Sequence, residues 1–274
     1  MTLDQIIHTG RLAQFIYNIR TSLAFRLRHA TVILIIIAAS MPCASSRGYT
    51  QWHIDLESGY VFSGYNDVRI PGDTGTQISL SEELDTDPTF FVRGRIGYSI
   101  RDRHTITVLI APLRVTAAGM VNRTVAFDGE EFSPDVPLES RYRFDSYRLT
   151  YRFDFYRTDK LRGGLGGTAK IRDASISLEG EGKKAEKKNT GFVPLLNFRI
   201  QWFLRPNLSL TLDGDALAAP QGRAEDVSIT VQYNVNRRFC LKTGYRVLEG
   251  GVDVDEVYNF TLLHYVLLGA IITF

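Results

Sequence analysis

The sequence predicts an all-β fold, a transmembrane antiparallel up-and-down β-barrel of about ten strands. Three observations lead to it. Apolar and polar residues alternate at period two through ten segments, a period that no amphipathic helix has. Tight and longer links alternate between these segments. No run approaches the ~20 apolar residues that a membrane-spanning helix needs, whereas a barrel places its apolar residues at every second position.

The composition is typical of strands and excludes a cysteine framework. Of the 274 residues, 44% are apolar and 23% are charged, and the mean hydropathy is -0.08. The chain has 16 Phe, 13 Tyr and 23 Gly but only 2 Cys, and aromatic residues favour strands. Cys43 lies in the predicted export signal, so Cys240 is a lone thiol, and we expect neither a disulfide nor a cysteine metal site. The net charge of +2 indicates no particular partner.

Residues 1–46 have the layout of a secretory signal peptide. Several arginines, the last of them Arg28, precede an uncharged apolar core at 31–39, and the small residues of SMPCASS follow. We expect cleavage near 44–46, which leaves residues 47–274 as one barrel domain. The alternatives are an uncleaved anchor, for which the core is too short, and lipidation of Cys43, for which Pro42 replaces the small residue of the lipoprotein pattern.

The ten alternating segments follow one another along the rest of the chain. They are residues 51–64, 89–101, 105–120, 141–156, 165–178, 192–204, 208–216, 227–236, 239–248 and 257–274. The eighth is the cleanest, because Ile229 and Val231 alternate with Thr230 and its polar neighbours. The third changes phase near Pro112, which predicts a bulge or the membrane boundary. Since the third and seventh have the weakest patterns, eight strands is the alternative count.

The last segment carries the sharpest signal. Its outward row reads Tyr258, Phe260, Leu262, Val266, Leu268, Ala270, Ile272 and Phe274, interrupted by His264. At this point the chain resembles the bacterial outer-membrane β-barrel proteins, whose last strand closes the sheet and whose terminal aromatic residue is read by the assembly machinery. The resemblance implies that Phe274 is an assembly signal. It also implies an outer-membrane location, with the assembly machinery, outer-membrane lipid and lipopolysaccharide as partners.

The links between segments indicate an orientation. Those after the second, fourth, sixth and eighth segments are tight (RDRH, RTDK, LRPN and VNRR), and the others are mostly longer, up to 65–88 and 122–140. Short turns and both chain ends then lie on the periplasmic side. The long links are rich in Asp and Glu and the tight ones in Arg and Lys. We expect an acidic outer rim of disordered loops and a basic inner rim.

The inward rows of the segments carry charged residues, which define the candidate site. They are Asp55, Glu57, Arg93, Arg95, Arg148, Arg152, Asp154, Lys170, Arg172, Arg199, Asp213, Lys242 and Arg246. Buried charges must be paired or hydrated, so we expect them to fill a narrow lumen with salt bridges. The functional alternative is an anion-preferring passage, because bases outnumber acids in this set.

Aromatic residues predict two interfacial belts, one at each membrane surface. The periplasmic belt comprises Trp52, Tyr98, Phe153, Phe155, Trp202, Phe239 and Phe274, and the outer belt Tyr60, Phe62, Tyr142, Phe144, Tyr258 and Phe260. The two sets lie at opposite ends of the apolar rows, where the two surfaces of a bilayer would be.

The sequence offers no catalytic residues. Barrel proteases and lipid-modifying barrels need a nucleophile or activated water with a base near the outer rim. We expect His53 and His104 near the periplasmic rim and His264 facing outward, so none is placed for that chemistry. Neither a cofactor nor a metal is predicted, and scattered bases without an aromatic cluster exclude nucleic acid. The sequence predicts a structural or surface-interaction barrel, with a small anion channel as the alternative and an enzyme third; it leaves the oligomeric state open.

Overall fold

Ten antiparallel strand positions close into a ring. The computed structural model describes residues 50–220 and 222–274. Its strands are β1 (Thr50–Arg69), β2 (Ile78–Ser79), β3 (Asp85–Thr86), β4 (Thr89–Ile100), β5 (His104–Ala111), β6 (Arg114–Met120), β7 (Val125–Phe127), β8 (Glu130–Phe132), β9 (Pro137–Arg157), β10 (Leu161–Gly180), β11 (Lys183–Arg205), β12 (Leu208–Ala219), β13 (Gly222–Asn234), β14 (Phe239–Val254) and β15 (Val257–Thr273). The predicted signal peptide, residues 1–46, lies outside the described residues.

Each ring strand pairs with its neighbours in chain order. The order is β1, β4, β5 with β6, β9, β10, β11, β12, β13, β14 and β15, which returns to β1. Each of the ten predicted segments corresponds to one ring position, so the count of ten is confirmed and the alternative of eight is wrong. Within the described part of the chain, no helix is long and apolar enough to cross a membrane.

The two ends of the chain's barrel portion close the ring. β15 pairs with β1 along its length, from His53 opposite Thr273 to Arg69 opposite Tyr258, with one shift of register between Ser63 and Tyr65. The amide of Phe274 extends this ladder by donating to the carbonyl of Trp52 at 2.9 Å. A closed ring satisfies the backbone groups of both edges, which is a requirement for strands in hydrocarbon.

The ring strands expose apolar residues outward and bury polar ones inward. On β13, Ile229 is 46% and Val231 is 41% exposed, whereas Ser228 and Thr230 are each 4% exposed. The same alternation leaves large apolar side chains exposed on nine of the ten ring positions, such as Trp52, Val92, Val108, Leu149, Leu165, Leu196, Val231, Leu241 and Leu268, and Leu212 partly exposed on the tenth, β12. This band is the lipid-facing surface of a membrane barrel.

The third ring position is broken, as the phase change near Pro112 predicts. β5 and β6 both pair with β9, and Pro112 and Leu113 separate them. Proline has no N–H to donate to the ladder. The amide of Leu113 donates instead to the carboxylate of Asp145 at 3.3 Å, and its carbonyl accepts from the amide of Phe144 at 3.0 Å.

One end of the barrel has tight turns, as predicted, and the other end departs from the prediction. The tight turns are 101–103, 158–160, 206–207 and 235–238. At the other end only the links 70–88 and 121–136 are long, while 181–182 and 255–256 are two-residue turns and β13 begins three residues after the end of β12. The prediction of mostly longer outer links is wrong because β10 and β11 stay paired as far as Gly180 opposite Lys183.

The two long links are folded, contrary to the expectation of disorder. Together they supply an apolar cluster, here called the outer cap: Ile70, Ile78, Leu80, Leu84, Val121, Val125, Phe127 and Phe132, each at most 4% exposed. The links also bond to each other, because Asp128 N–H donates to Ile70 O and Thr76 N–H to Ala126 O, each at 2.9 Å. Their acidic residues remain at the surface while the apolar ones pack against the barrel interior.

Candidate functional site

The barrel interior holds the predicted charged residues. All thirteen lie on inward positions of the ring strands. Eight of them are buried, namely Asp55, Glu57, Arg93, Arg148, Arg152, Lys170, Lys242 and Arg246, and the partly buried remainder are Arg95, Asp154, Arg172, Arg199 and Asp213.

A plate of ion pairs crosses the lumen at mid-height. We define this lumen plate as Glu57, Arg93, Arg148, Asp226, Lys242 and Arg246. At one centre, Asp226 on β13 accepts from Arg148 on β9 at 2.6 Å, from Arg246 on β14 at 2.7 Å and from Arg93 on β4 at 3.1 Å. One carboxylate thereby ties together strands from opposite sides of the barrel.

Glu57 on β1 is the second centre of the lumen plate. Its two carboxylate oxygens accept from a single nitrogen of Arg246, Nη2, at 2.8 and 2.9 Å, and one of them also accepts from the ammonium of Lys242 at 2.7 Å. Lys242 also contacts Asp55, which lies one inward position nearer the tight-turn end of the barrel. Arg246 donates to Asp226 through Nη1 and to Glu57 through Nη2, so one guanidinium joins the two carboxylates of the plate.

Asp215 on β12 extends the lumen plate to the remaining wall. It accepts from Arg148 at 2.8 Å, from the hydroxyl of Thr168 at 2.6 Å and from the amide of Asn197 at 2.9 Å. The side chains of the plate are only 2 to 6% exposed. Charges this deep are tolerated only when they are paired and hydrogen-bonded, and these are.

A polar cavity of about 230 Å³ lies between the lumen plate and the tight turns. Its walls include His53, Arg95, Arg152, Arg199 and Asp213. Arg95 lies 3.6 Å from Asp213, and Arg152 lies 3.8 Å from the same carboxylate. We call it the lower cavity.

A second cavity of about 330 Å³ lies on the other side of the lumen plate, and we call it the outer cavity. Lys170 and Arg172 lie in its wall beside apolar and small residues. No described residue lines both cavities. The lumen plate and the apolar residues above it, such as Phe91 and Tyr265, separate the two.

Three of the thirteen predicted residues take no part in the ion-pair network. Within residues 50–220 and 222–274, Lys170, Arg172 and Arg199 have no carboxylate at salt-bridge distance, whereas the other ten do. Lys170 instead places its ammonium 4.9 Å from the centre of the Phe144 ring.

Two acidic residues of the network were missed by the sequence analysis. Asp215 and Asp226 are 6% and 3% exposed and accept from the same arginine, Arg148. Continuing period two from Asp213 leads to Asp215, and continuing it back from Ser228 leads to Asp226. The signal was present: Asp215 lies inside the predicted segment 208–216 but was left out of the inward set, and Asp226 lies one residue before the predicted segment 227–236.

The predicted outer aromatic belt is wrong at two positions. Tyr142 is buried inside the barrel, and Phe144 packs against the same interior cluster. The inward row of β9 runs without interruption from Tyr142 to Arg152, so its outward partners at this level are Arg141, Arg143 and Asp145. At this height the barrel wall lies beyond the lipid-facing band, so its outward residues need not be apolar.

The described part of the chain contains three histidines. His104 and His264 each hydrogen-bond a tyrosine hydroxyl on the outer wall, Tyr151 at 2.8 Å and Tyr245 respectively. His53 lines the lower cavity. Across residues 50–220 and 222–274, no group of three or more His, Cys, Asp or Glu side chains is placed to hold a metal ion.

Comparison with known proteins gives similarity at the level of fold. No protein-family model matches the chain, and no curated protein matches it. Among solved structures, the outer membrane protease OmpT from Escherichia coli has a TM-score of 0.53 at 11% identity, over 82% of this chain and 97% of that one.

Two further solved structures are less similar. The attachment invasion locus protein Ail of Yersinia pestis gives a TM-score of 0.37 at 10% identity, over 81% of this chain and 99% of that one. An outer membrane channel from Pseudomonas putida F1 gives 0.43 at 10% identity, over 84% and 97%. With the closed ten-strand ring and its lipid-facing band, the chain has the fold of the bacterial outer-membrane β-barrel proteins.

Proposed function

We propose that the protein is an integral outer-membrane barrel with a sealed lumen and a structural or surface-interaction role. The lumen plate is the observation that supports this most directly. Its carboxylates bridge β1, β4, β9, β13 and β14 across the full width of the barrel. A solute would have to break several buried ion pairs to pass, and uncovering one member of such a pair costs about 3–5 kcal/mol.

The outer cap supports the same proposal independently. Phe127 and Phe132 are 1% and 0% exposed and pack in one cluster with Leu138 of β9 and Leu178 of β10. Water and ions cross a packed apolar core far less readily than a polar passage. Two different kinds of barrier therefore lie in series along the barrel axis.

The alternative, a small anion-preferring channel, draws its support from the lower cavity. Arg95, Arg152, Arg162 and Arg199 line it, and Arg199 has no ion-pair partner among the described residues. Asp55, Asp102, Asp154, Asp213 and Asp215 line it as well, so its support for the channel comes from Arg199 and not from an excess of positive charge in the cavity. The cavity ends at the lumen plate, so we propose the sealed barrel ahead of the channel.

The outer wall supports contact with lipid head groups, including those of lipopolysaccharide. Directly above the lipid-facing band, Arg143 binds Asp173 in a bidentate pair at 2.8 and 2.9 Å, and Arg114 binds Asp145. Arg141 is exposed beside them. Arginine pairs with phosphate in the same bidentate geometry, so these residues are suited to phosphorylated head groups. Phe274, at the end of the closing strand, remains our proposed assembly signal.

Planar-bilayer conductance of the purified, refolded protein tests the proposal. We expect no steps of current at any voltage, while a porin reconstituted in the same way serves as the positive control. Stepwise current from the wild-type protein would contradict the sealed lumen. A preference of that current for anions would then favour the channel.

A further inference from the structure

The outer cavity exists because the inward positions around it carry small residues. On five neighbouring strands these positions are Ala174, Gly191, Ala219, Gly222, Ala224 and Gly250. On β13 and β14, the next inward positions toward the lumen plate are Asp226 and Leu248, whose larger side chains fill the space. The resulting 330 Å³ is within the range of small-ligand pockets.

The barrel wall is incomplete beside the outer cavity. β11 pairs with β12 only as far as Leu196 opposite Ala216. Among the described residues, the preceding part of β11, from 183 to 195, has no strand partner on that side, and neither does the end of β12 from Leu217 onward. Phe192, Val193 and Leu217 line the cavity at this gap.

The gap begins at the level of the lipid-facing band. Phe192 and Leu196 point outward on β11 and are 68% and 67% exposed. An unpaired strand edge in contact with hydrocarbon is unfavourable unless something covers it. An apolar chain lying in the gap would provide that cover and would reach the cavity from the bilayer.

The inner end of the outer cavity is cationic. Lys170 is 5% exposed, lines the cavity and has no carboxylate at salt-bridge distance among the described residues. Arg172, one inward position further out, also lines it, and its Nε has no hydrogen-bond partner in the described residues. The one carboxylate in the lining, that of Glu249, is hydrogen-bonded to Tyr65 at 2.5 Å and paired with Arg223.

We propose that the outer cavity binds one anionic amphiphile: an acyl chain of medium length with a carboxylate or phosphate head. The head group lies beside Lys170 and Arg172, and the chain lies in the gap between β11 and β12 against Phe192, Val193 and Leu217. A buried lysine without a counter-ion favours an anion, and the apolar gap favours hydrocarbon. This ligand site goes beyond the proposed sealed barrel, which needs no ligand.

Equilibrium binding to the full chain in phosphatidylcholine nanodiscs tests the proposal, with empty nanodiscs as the blank. The probes are radiolabelled decanoate, decyl phosphate and decanol at pH 8. We expect saturable binding of about one anion per chain, and at least tenfold weaker binding of decanol because it lacks the charge. Binding of decanoate alone identifies a free fatty acid as the ligand class, and binding of decyl phosphate alone identifies a lipid phosphate.

Four variants locate the site. Lys170→Met removes the charge, and we expect at least tenfold weaker anion binding; Arg172→Met replaces it in the test if the first variant does not fold. Ala224→Trp fills the cavity from β13, and we expect it to abolish saturable binding. Lys188→Met removes a charge from the exposed outer wall of the same hairpin and leaves binding unchanged. Circular dichroism checks the fold of each.

The outcomes that overturn the proposal are specific. Absence of saturable binding of either anion would rule out the site. Equal affinity for decanol and decanoate would rule out the role of Lys170 and Arg172. Undiminished binding in Ala224→Trp would place the ligand elsewhere on the protein. A conducting wild-type barrel would contradict the sealed lumen but not this site, so the two proposals fail separately.

Discussion

Asp226 is the residue on which the lumen plate depends most, because three guanidinium groups converge on its carboxylate. Asp226→Asn keeps the shape but removes the charge, which leaves Arg93, Arg148 and Arg246 in excess within the lumen. Breaking a buried pair by removing one partner costs about 3–5 kcal/mol. We expect a loss of this size in the free energy of unfolding, measured by urea titration in lipid vesicles.

The matched control is Asp253→Asn. Asp253 is exposed at the outer end of β14 and has no ion-pair partner among the described residues. Its replacement should change the free energy of unfolding by at most about 0.5 kcal/mol. Equal effects of the two variants would show that the ion pairs of the lumen plate do not stabilise the barrel.

The ion pair between Glu83 and Arg123 should make the stability of the outer cap depend on pH. A hydrogen bond from Arg123, 3.0 Å from the carboxylate, lowers the pKa of Glu83 below its ordinary value. A lowered folded-state pKa contributes stability above the ordinary glutamate value, and this is lost as the pH falls through the folded value. The difference in Tm between wild type and Glu83→Gln should therefore be larger at pH 7 than at pH 3.

Glu82→Gln is the control for that measurement. Glu82 is exposed and has no ion-pair partner among the described residues, so its Tm should equal that of the wild type at both pH values. A Tm difference for Glu83→Gln that stays constant between pH 7 and pH 3 would mean that the ion pair does not act through ionisation of Glu83.

Single residues of the network show what period two can and cannot predict. The rule placed Glu57 and Arg246 correctly on inward rows, because side-chain direction follows directly from strand alternation. It could not predict that Lys170 lacks a partner while Arg148 has several, since pairing across the lumen depends on the relative height of distant strands. That height is set by the register of the closed ring.

At the scale of the strand, the outward row of β15 gives the sharpest test of contact with lipid. Leu268 is 64% exposed and lies in the middle of the outward row. Leu268→Arg should lower the free energy of unfolding in vesicles by about 2–4 kcal/mol, the cost of an arginine near the bilayer midplane. Unfolding by guanidinium in phosphatidylcholine vesicles measures it.

The same substitution near a membrane surface is the control. Leu204 is 48% exposed on β11, one residue before the end of the strand at the tight-turn end of the barrel. Leu204→Arg should cost only about 0–1 kcal/mol, because the cost falls toward the interfaces. Similar costs at both positions would contradict the proposed placement in the bilayer.

The strands were more predictable than the segments between them. Alternation identified all ten ring positions because each strand repeats the same constraint, lipid on one side and lumen on the other. The long links have no such repeat. Their acidic residues suggested disorder, while isolated apolar residues such as Ile70 and Phe127 gave no periodic signal, and only the folded chain shows that these pack together in the outer cap.

At the scale of the whole molecule, the barrel combines an apolar exterior with a polar interior that is closed in the middle. Closure of the ring brings Glu57 of the first strand to Lys242 and Arg246 near the end of the chain, so the lumen plate forms only when the barrel is complete. We therefore expect the lumen plate to stabilise the closed ring rather than any single hairpin.

The most direct test of the account is tryptophan scanning of β13 in vesicles whose lipids carry brominated acyl chains. Trp52 and Trp202 are first replaced by phenylalanine, and a single tryptophan is then placed at Ser228, Ile229, Thr230 or Val231. The account predicts strong quenching of fluorescence at positions 229 and 231 and little at 228 and 230. Equal quenching at all four positions, or the opposite alternation, would contradict a lipid-facing exterior and a polar sealed lumen.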